Sequence, residues 1–208
     1  AGRRCLRIGD RAPVFHARST LGPISLTDYR GRWVLLFSHP ADFTPVCTSE
    51  FIALARAAAR FAALDCVPVA VSVDSVFSHQ AWVRAIHDHF GVTIAFPIIE
   101  DPTLVIGTAY GMIDEMAVDA SAMRSTFVID PDGVVRAVLS YPATVGRSVD
   151  EQLRLVAALQ KVDADAVLTP EAWRPGDAVL LPPHEDAAAV ADGDACWFHR
   201  LRPDEGGA

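Results

Sequence analysis

Residues 33–50 read WVLLFSHPADFTPVCTSE. The run 33–38, WVLLFS, is continuously apolar and of strand length, the pattern of a strand covered on both faces. The prolines and polar residues of HPADFTP mark a loop. The segment that follows, CTSEFIALARAAARFAAL, carries Phe51, Leu54, Ala55, Ala58, Phe61 and Ala62 at helical spacing. The order is therefore strand, loop, helix, with a cysteine in the first turn of the helix.

Working outward, FHARSTLGPISLTDYRG reads as a short hairpin and turn centred on Leu21, Gly22 and Pro23. Residues 66–74, CVPVAVSVD, form a second core strand, and Pro68 argues for a place at its beginning or near an edge. The pattern of 76–90 predicts a helix ended by Gly91. A brief strand at 96–99, an Asp-Pro turn and a short helix at 104–110 follow. Residues 125–130 and 134–140 flank Pro131-Asp132-Gly133, which predicts two antiparallel strands joined by a tight turn. An amphipathic helix covers 150–161. This β-α-β then β-β-α succession fits an α/β, thioredoxin-like fold, a mixed central sheet flanked by helices. Parallel strands need helical crossovers, so only the hairpin is expected to be antiparallel. From about residue 162 the periodicity weakens and Pro170, Pro175, Pro182 and Pro183 gather. The expected division is a domain at 1–161 and a C-terminal extension at 162–208 packed on that domain or on a partner.

The 208 residues are 51% apolar and 21% charged, a globular composition. With 18 basic against 26 acidic residues the net charge is -8, which gives a nucleic-acid backbone or an anionic membrane little to hold. No apolar run approaches the roughly 18 residues of a membrane helix. The opening AGRRCLRIGDRAP has the charges of a secretory signal without its apolar stretch, so a cytoplasmic protein is expected. The four cysteines stand singly at Cys5, Cys47, Cys66 and Cys196, with no C-x-x-C pair. That spacing argues against a tetrathiolate zinc site and against an ordinary dithiol oxidoreductase.

Cys47 is the thiol whose position carries chemistry. In a first helical turn it meets unpaired backbone N–H groups and the positive end of the helix dipole, which stabilise thiolate over thiol. Pro40 lacks an N–H and can shield one side of the site. Thr44 precedes Cys47 by three residues, so a tight turn can bring its hydroxyl to the sulfur or to a substrate oxygen.

The pattern Pro40-x-x-x-Thr44-x-x-Cys47 resembles the peroxiredoxin signature. FSHPADFTPVCTSE, with His39 before the proline, is similar to the one-cysteine subfamily in particular. DSVFSHQAW at 74–82, FPIIED at 96–101, RSTFVIDPDG at 124–133 and YPATVGRSVDEQLR at 141–154 extend the resemblance, in order, over nearly the whole chain. It implies a thiol-dependent peroxidase that reduces hydrogen peroxide and organic hydroperoxides through a sulfenic acid on Cys47, without metal, haem or flavin. By the same resemblance Arg124 is the guanidinium that polarises the peroxide, and Arg147 a second arginine bordering the site. Glu50, one turn after Cys47, can orient an arginine as a bidentate partner.

Reduction of the sulfenic acid by an external thiol is the one-cysteine expectation. DACWFHRLRP resembles the cysteine-and-aromatic tail of archaeal-type members, so an intersubunit disulfide from Cys47 to Cys196 is the alternative. The resemblance implies a homodimer at least, with a decamer of five dimers as a further possibility. A lipase activity credited to some relatives uses a serine where this chain has Arg32, so it is not implied.

Other features have plainer readings. Cys66, opening an apolar strand, reads as an inert core thiol. His87, Asp88 and His89 invite a metal reading, but helical residues two apart diverge, so they read as a solvated helix end. His39 fits either a structural bond within its loop or a catalytic part. Trp173, Trp197 and Phe198 read as packing or subunit anchors. Two competing functions are a peroxide sensor or holdase switched by Cys47 oxidation, and a thioredoxin-like adaptor whose Cys47 is an ordinary thiol.

Overall fold

The computed structural model describes residues 6–113, 123–183 and 197–204. The chain divides into two compact units, Ala1–Val149 and Asp150–Ala208.

The first unit is built on β3 (Trp33–Ser38), the strand whose six residues are all buried. It is flanked by β4 (Cys66–Ser72), parallel to it, and β6 (Arg124–Ile129), antiparallel to it. With β1 (His16–Ser19), β2 (Gly22–Ser25), β5 (Ile98–Glu100) and β7 (Val135–Tyr141), these make a seven-stranded mixed sheet of order β2-β1-β5-β4-β3-β6-β7. The thioredoxin-like expectation holds, but antiparallel pairing is not confined to the β6–β7 hairpin. Strand β1 pairs antiparallel with both β2 and β5, and β6 with β3. The connection from β5 to β6 is long enough to return the chain in either direction, so the crossover rule did not bind it.

Alternation along β3 sends its side chains to opposite faces. Val34 and Leu36 join Phe15, Val69, Tyr110 and Phe127 in one core cluster. Phe37 meets Phe51 on the other face, at 5.7 Å between ring centroids. Phe51 belongs to α1 (Pro45–Arg56), which is thereby anchored where β3 ends.

Pro68 lies in the third position of β4 without costing a ladder bond. Ala70 donates to the Pro97 carbonyl, just before β5 begins. The N–H that Pro68 lacks, two residues earlier, would have faced the same edge where no neighbour strand yet runs. The helix expected to continue beyond Arg56 is broken at Ala57 (φ −90, ψ 4), and α2 (Ala58–Ala63) starts anew. Nothing in the alanine-rich sequence marks that break. Helix α3 (Val76–Phe90) ends, as read, at Gly91 in the left-handed conformation that glycine tolerates best. Helix α4 (Val105–Ala109) is the last α-helix among the described residues before β6.

In the second unit, α5 (Val149–Asp165) is followed by a two-stranded ladder of β8 (Val179–Leu180) and β9 (Leu201–Arg202). Trp173 is buried there, and its indole N–H donates to the Asp177 carbonyl at 2.9 Å.

Candidate active site

Strand β3 delivers His39 and Pro40 at its carboxyl end, and the loop runs to Pro45, the first residue of α1. Proline suits that position because its missing N–H would have had no intrahelical partner. Phe43 is held at φ 56, a conformation costly for a bulky side chain by about 1–3 kcal/mol. The strained residue thus sits directly before Thr44, the N-cap of the helix.

Cys47 is in the first turn of α1 and fully buried. Its sulfur accepts a hydrogen bond from Arg124 Nη1 at 3.3 Å. Arg124 opens β6, is itself buried, and is held at two further points: Nε donates to the Ala143 carbonyl at 2.8 Å, and Nη1 to Glu50 Oε2 at 2.9 Å. Glu50 lies three residues after Cys47, on the neighbouring side of the same helix turn.

The same carboxylate grips Arg147. Arg147 Nη2 reaches Glu50 Oε2 at 2.8 Å, while Nε and the backbone N–H reach Oε1 at 2.9 and 2.7 Å. Arg147 Nη1 also donates to the Ser125 carbonyl and to Thr126 Oγ1, and its guanidinium lies 5.2 Å from the Phe37 ring centroid. Burial pushes the Glu50 carboxyl up, but the Arg147 bonds and charge, and then Arg124, hold it below the usual carboxylate range. Two guanidinium groups share one carboxylate, so positive charge is left over beside the sulfur.

Thr44 is the N-cap residue of α1 and makes no side-chain cap bond. Its hydroxyl donates to the Ala41 carbonyl at 2.8 Å, so turning toward the sulfur or a substrate requires rotating that hydroxyl. Pro40 is half-buried at the loop start. The structure thus brings Cys47, Glu50, Arg124 and Arg147 into direct contact, and places Pro40 and Thr44 in the loop that leads to them.

Sequence reading missed one cluster here. His39 Nε2 lies 2.9 Å from Asp42 Oδ1, and His79 Nδ1 lies 2.8 Å from Asp42 Oδ2, with all three residues buried. The i, i+3 spacing of His39 and Asp42 was the local signal available. Burial pushes the Asp42 carboxyl up, but the hydrogen bonds from the two histidines outweigh it and hold it well below the usual range. One potential ligand atom from each residue lies within 4.8 Å of the others, the approach a metal cluster would need. The ring nitrogens facing Asp42 are instead engaged with its carboxylate, so the contacts are those of a hydrogen-bonded array.

Cys66, the first residue of β4, is buried without such company, and desolvation pushes its thiol up to about 12. Arg32, at the lipase-serine position, pairs with Asp65 at 2.7 Å. His87 and His89 are exposed at the end of α3, as a solvated helix end. Cys5 and Cys196 lie outside the described residues.

Residues 8–138 match the AhpC/TSA family, and residues 158–192 match the C-terminal domain of 1-Cys peroxiredoxin. A peroxiredoxin 2 of Caldanaerobacter subterraneus is 50% identical over 87% of this chain and 82% of its own length. A peroxiredoxin 2 of Picrophilus torridus is 46% identical over 92% of this chain and 96% of its own. Among solved structures, a yeast mitochondrial 1-Cys peroxiredoxin, studied for thiol resolution via glutathione and thioredoxin systems, superposes with a TM-score of 0.80. It is 41% identical, and the match covers 86% of this chain and 87% of that one. The chain belongs to the peroxiredoxin family. It is a thiol-dependent peroxidase; the sensor or holdase reading is not the one these relatives favour. No described helix is long and apolar enough to cross a membrane.

Proposed function

We propose that Cys47 is the peroxidatic nucleophile and that hydrogen peroxide and organic hydroperoxides are its substrates. The observation that carries this is the 3.3 Å bond from Arg124 to the Cys47 sulfur, with the guanidinium locked by Glu50. The thiolate attacks the terminal peroxide oxygen. An S–O bond forms, the O–O bond breaks, and the electron pair leaves on the distal oxygen, which takes a proton to give water or an alcohol. Arg124, the N–H groups of the first helical turn and a rotated Thr44 hydroxyl offer donors where that charge develops. Pro40 excludes water on one side, and Arg147 acts through Glu50 by fixing Arg124. An apolar groove of about 470 Å³ lined by Phe43, Thr44, Thr48, Trp82, Ile86 and Phe90 adjoins the same helix start and suits the organic part of a hydroperoxide.

Cys47 emerges as a sulfenic acid. An external thiol condenses with it, releasing water and leaving a mixed disulfide, and a second thiol equivalent returns Cys47 to its starting state. Cys196 of a neighbouring subunit is the alternative first thiol. The remaining parts of this reading are a peroxidase domain at 1–161 with an extension at 162–208 that contacts a dimer partner, a homodimer that can assemble to a decamer, and a cytoplasmic location.

Stopped-flow peroxide titration of the reduced protein, Cys47→Ser and Cys196→Ser tests this, with intact mass and non-reducing gels at the end point. A fast stoichiometric reaction abolished only by Cys47→Ser is expected. A dimer-sized band that Cys196→Ser removes would assign resolution to Cys196; its absence would leave the external thiol. A slow reaction indifferent to Cys47 would overturn the assignment.

A further inference from the structure

His79, on α3, lies outside everything assigned so far. Its Nε2 is 3.2 Å from the Ile99 carbonyl of β5, and its Nδ1 is 2.8 Å from Asp42 Oδ2. A carbonyl only accepts, so Nε2 carries a hydrogen. The Asp42 carboxyl, held well below the usual carboxylate range, likewise only accepts, so Nδ1 donates to it. With both nitrogens donating, the His79 ring is tied to Asp42 and to β5 and sealed from solvent.

The other Asp42 oxygen accepts from His39 Nε2. Burial holds the His39 ring below the ordinary histidine range, with the bond and charge of Asp42 only partly offsetting it, so this ring carries one proton, on Nε2. Its Nδ1 is then a bare lone pair, and it is buried without a hydrogen-bond partner. An orphan of this kind costs about 1–3 kcal/mol, and such groups concentrate where function requires them. The His39 ring packs 4.9 Å from the Phe51 ring centroid and 5.4 Å from that of Trp82. Phe51 is one helical turn after Cys47, on the same face of α1.

We propose that His79 is a positioning residue of the peroxidase: its ring, donating at both nitrogens, pins Asp42, which holds His39 in the single tautomer whose Nδ1 remains an open acceptor beside the Cys47 helix. When the thiolate attacks, the oxygen it takes carries a proton that the departing oxygen needs. Nδ1 accepts that proton and passes it on, so the step ends with a sulfenate on Cys47 and a neutral water or alcohol, with no further reagent. The inference rests on the reading of Cys47 as nucleophile.

The charged and titratable groups around the array are few. Asp74 accepts from the Asp42 backbone N–H and the Ser72 hydroxyl. Glu100 accepts from the Val76 N–H at the start of α3 and pairs with Arg18. On the α1 side stand Cys47, Glu50 and Arg124. His79 and His39 each bond one oxygen of Asp42, so loss of the His79 ring leaves His39 as the ring that answers the Asp42 charge.

Two measurements test the proposal. In the reduced full-length protein labelled with 15N-histidine, ring-nitrogen correlations at neutral pH are expected to show His79 protonated on both nitrogens and His39 on Nε2 alone. A neutral His79, or a hydrogen on His39 Nδ1, would overturn it. That spectrum does not depend on turnover, so it stands apart from any failure of the Cys47 assignment, which would show as a wild-type protein without a peroxide burst. In His79→Gln, the acid limb of the burst rate should move up by about 1 pH unit or more as His39 gains its second proton. The pH dependence of Cys47 alkylation, which reads the thiolate alone, should stay in place. A uniform loss of rate, or both profiles moving together, would reduce His79 to a structural residue. If this variant does not fold, the wild-type spectrum still decides.

Discussion

Cys47 and Cys66 are both buried, yet the regions around them differ in every way that matters to a thiol. Cys66 opens β4 inside apolar packing, with its nearest charges those of Arg32 and Asp65 at the margin. Cys47 sits in the first turn of α1 with a guanidinium on its sulfur and a second behind it. Burial alone therefore makes a thiol inert. Burial among fixed donors and positive charge is the setting that Cys47 has and Cys66 lacks.

The sharpest way to break that comparison is to remove each sulfur in turn. Cys47→Ser should lose the fast peroxide reaction completely in stopped flow, while Cys66→Ser keeps it. Next in size is Glu50, which holds two buried cations. Glu50→Gln should lower stability by about 3–5 kcal/mol in urea denaturation, since it leaves guanidinium charge unpaired. The pH sign follows from the wild-type carboxyl, whose folded pKa lies below its unfolded value. Its contribution is present above the unfolded pKa, about 4.3, and is lost as pH falls through the lower folded one. Wild type should therefore shed this stability only in strong acid, and Glu50→Gln should lack that part of the acid transition.

Arg124→Gln separates charge from burial at Cys47 itself. The burst should slow by about 10²–10³-fold, the effect of losing one donor to developing charge. The fold should persist because Arg147 continues to hold Glu50. A rate within a factor of two of wild type would mean the guanidinium is structural. The smallest effect is expected at the other cysteine. Cys66→Ala should cost about 1 kcal/mol, the loss of one small buried group. Because the folded Cys66 thiol is raised to about 12, its contribution is complete below the unfolded thiol pKa and is lost as pH climbs from there toward the folded value. Thermal melts from neutral to alkaline pH should fall more steeply in wild type than in Cys66→Ala.

Legibility in the sequence tracked distance along the chain. The buried strand β3, the helix after it and its cysteine could be read because each is a local pattern, and the hairpin at Pro131-Asp132-Gly133 announced itself by turn chemistry. The break at Ala57 could not be read, since helix formers run through it. Arg124 and Arg147 entered only through resemblance, because no spacing relates residues 77 and 100 positions from Cys47. His79 lay inside a quoted motif, DSVFSHQAW, but nothing local told its ring from that of an ordinary helical histidine.

By itself, then, the sequence determined the strand-loop-helix unit and the placing of a lone thiol at a helix start, since periodicity, proline and capping act over a few residues. Only the tertiary structure decided which charges reach that thiol. The antiparallel return of β6 beside β3 brings Arg124 to the sulfur, and the packing of α3 under the loop brings His79 to Asp42. Both are long-range contacts, fixed by burial and hydrogen bonding among segments that no local pattern connects.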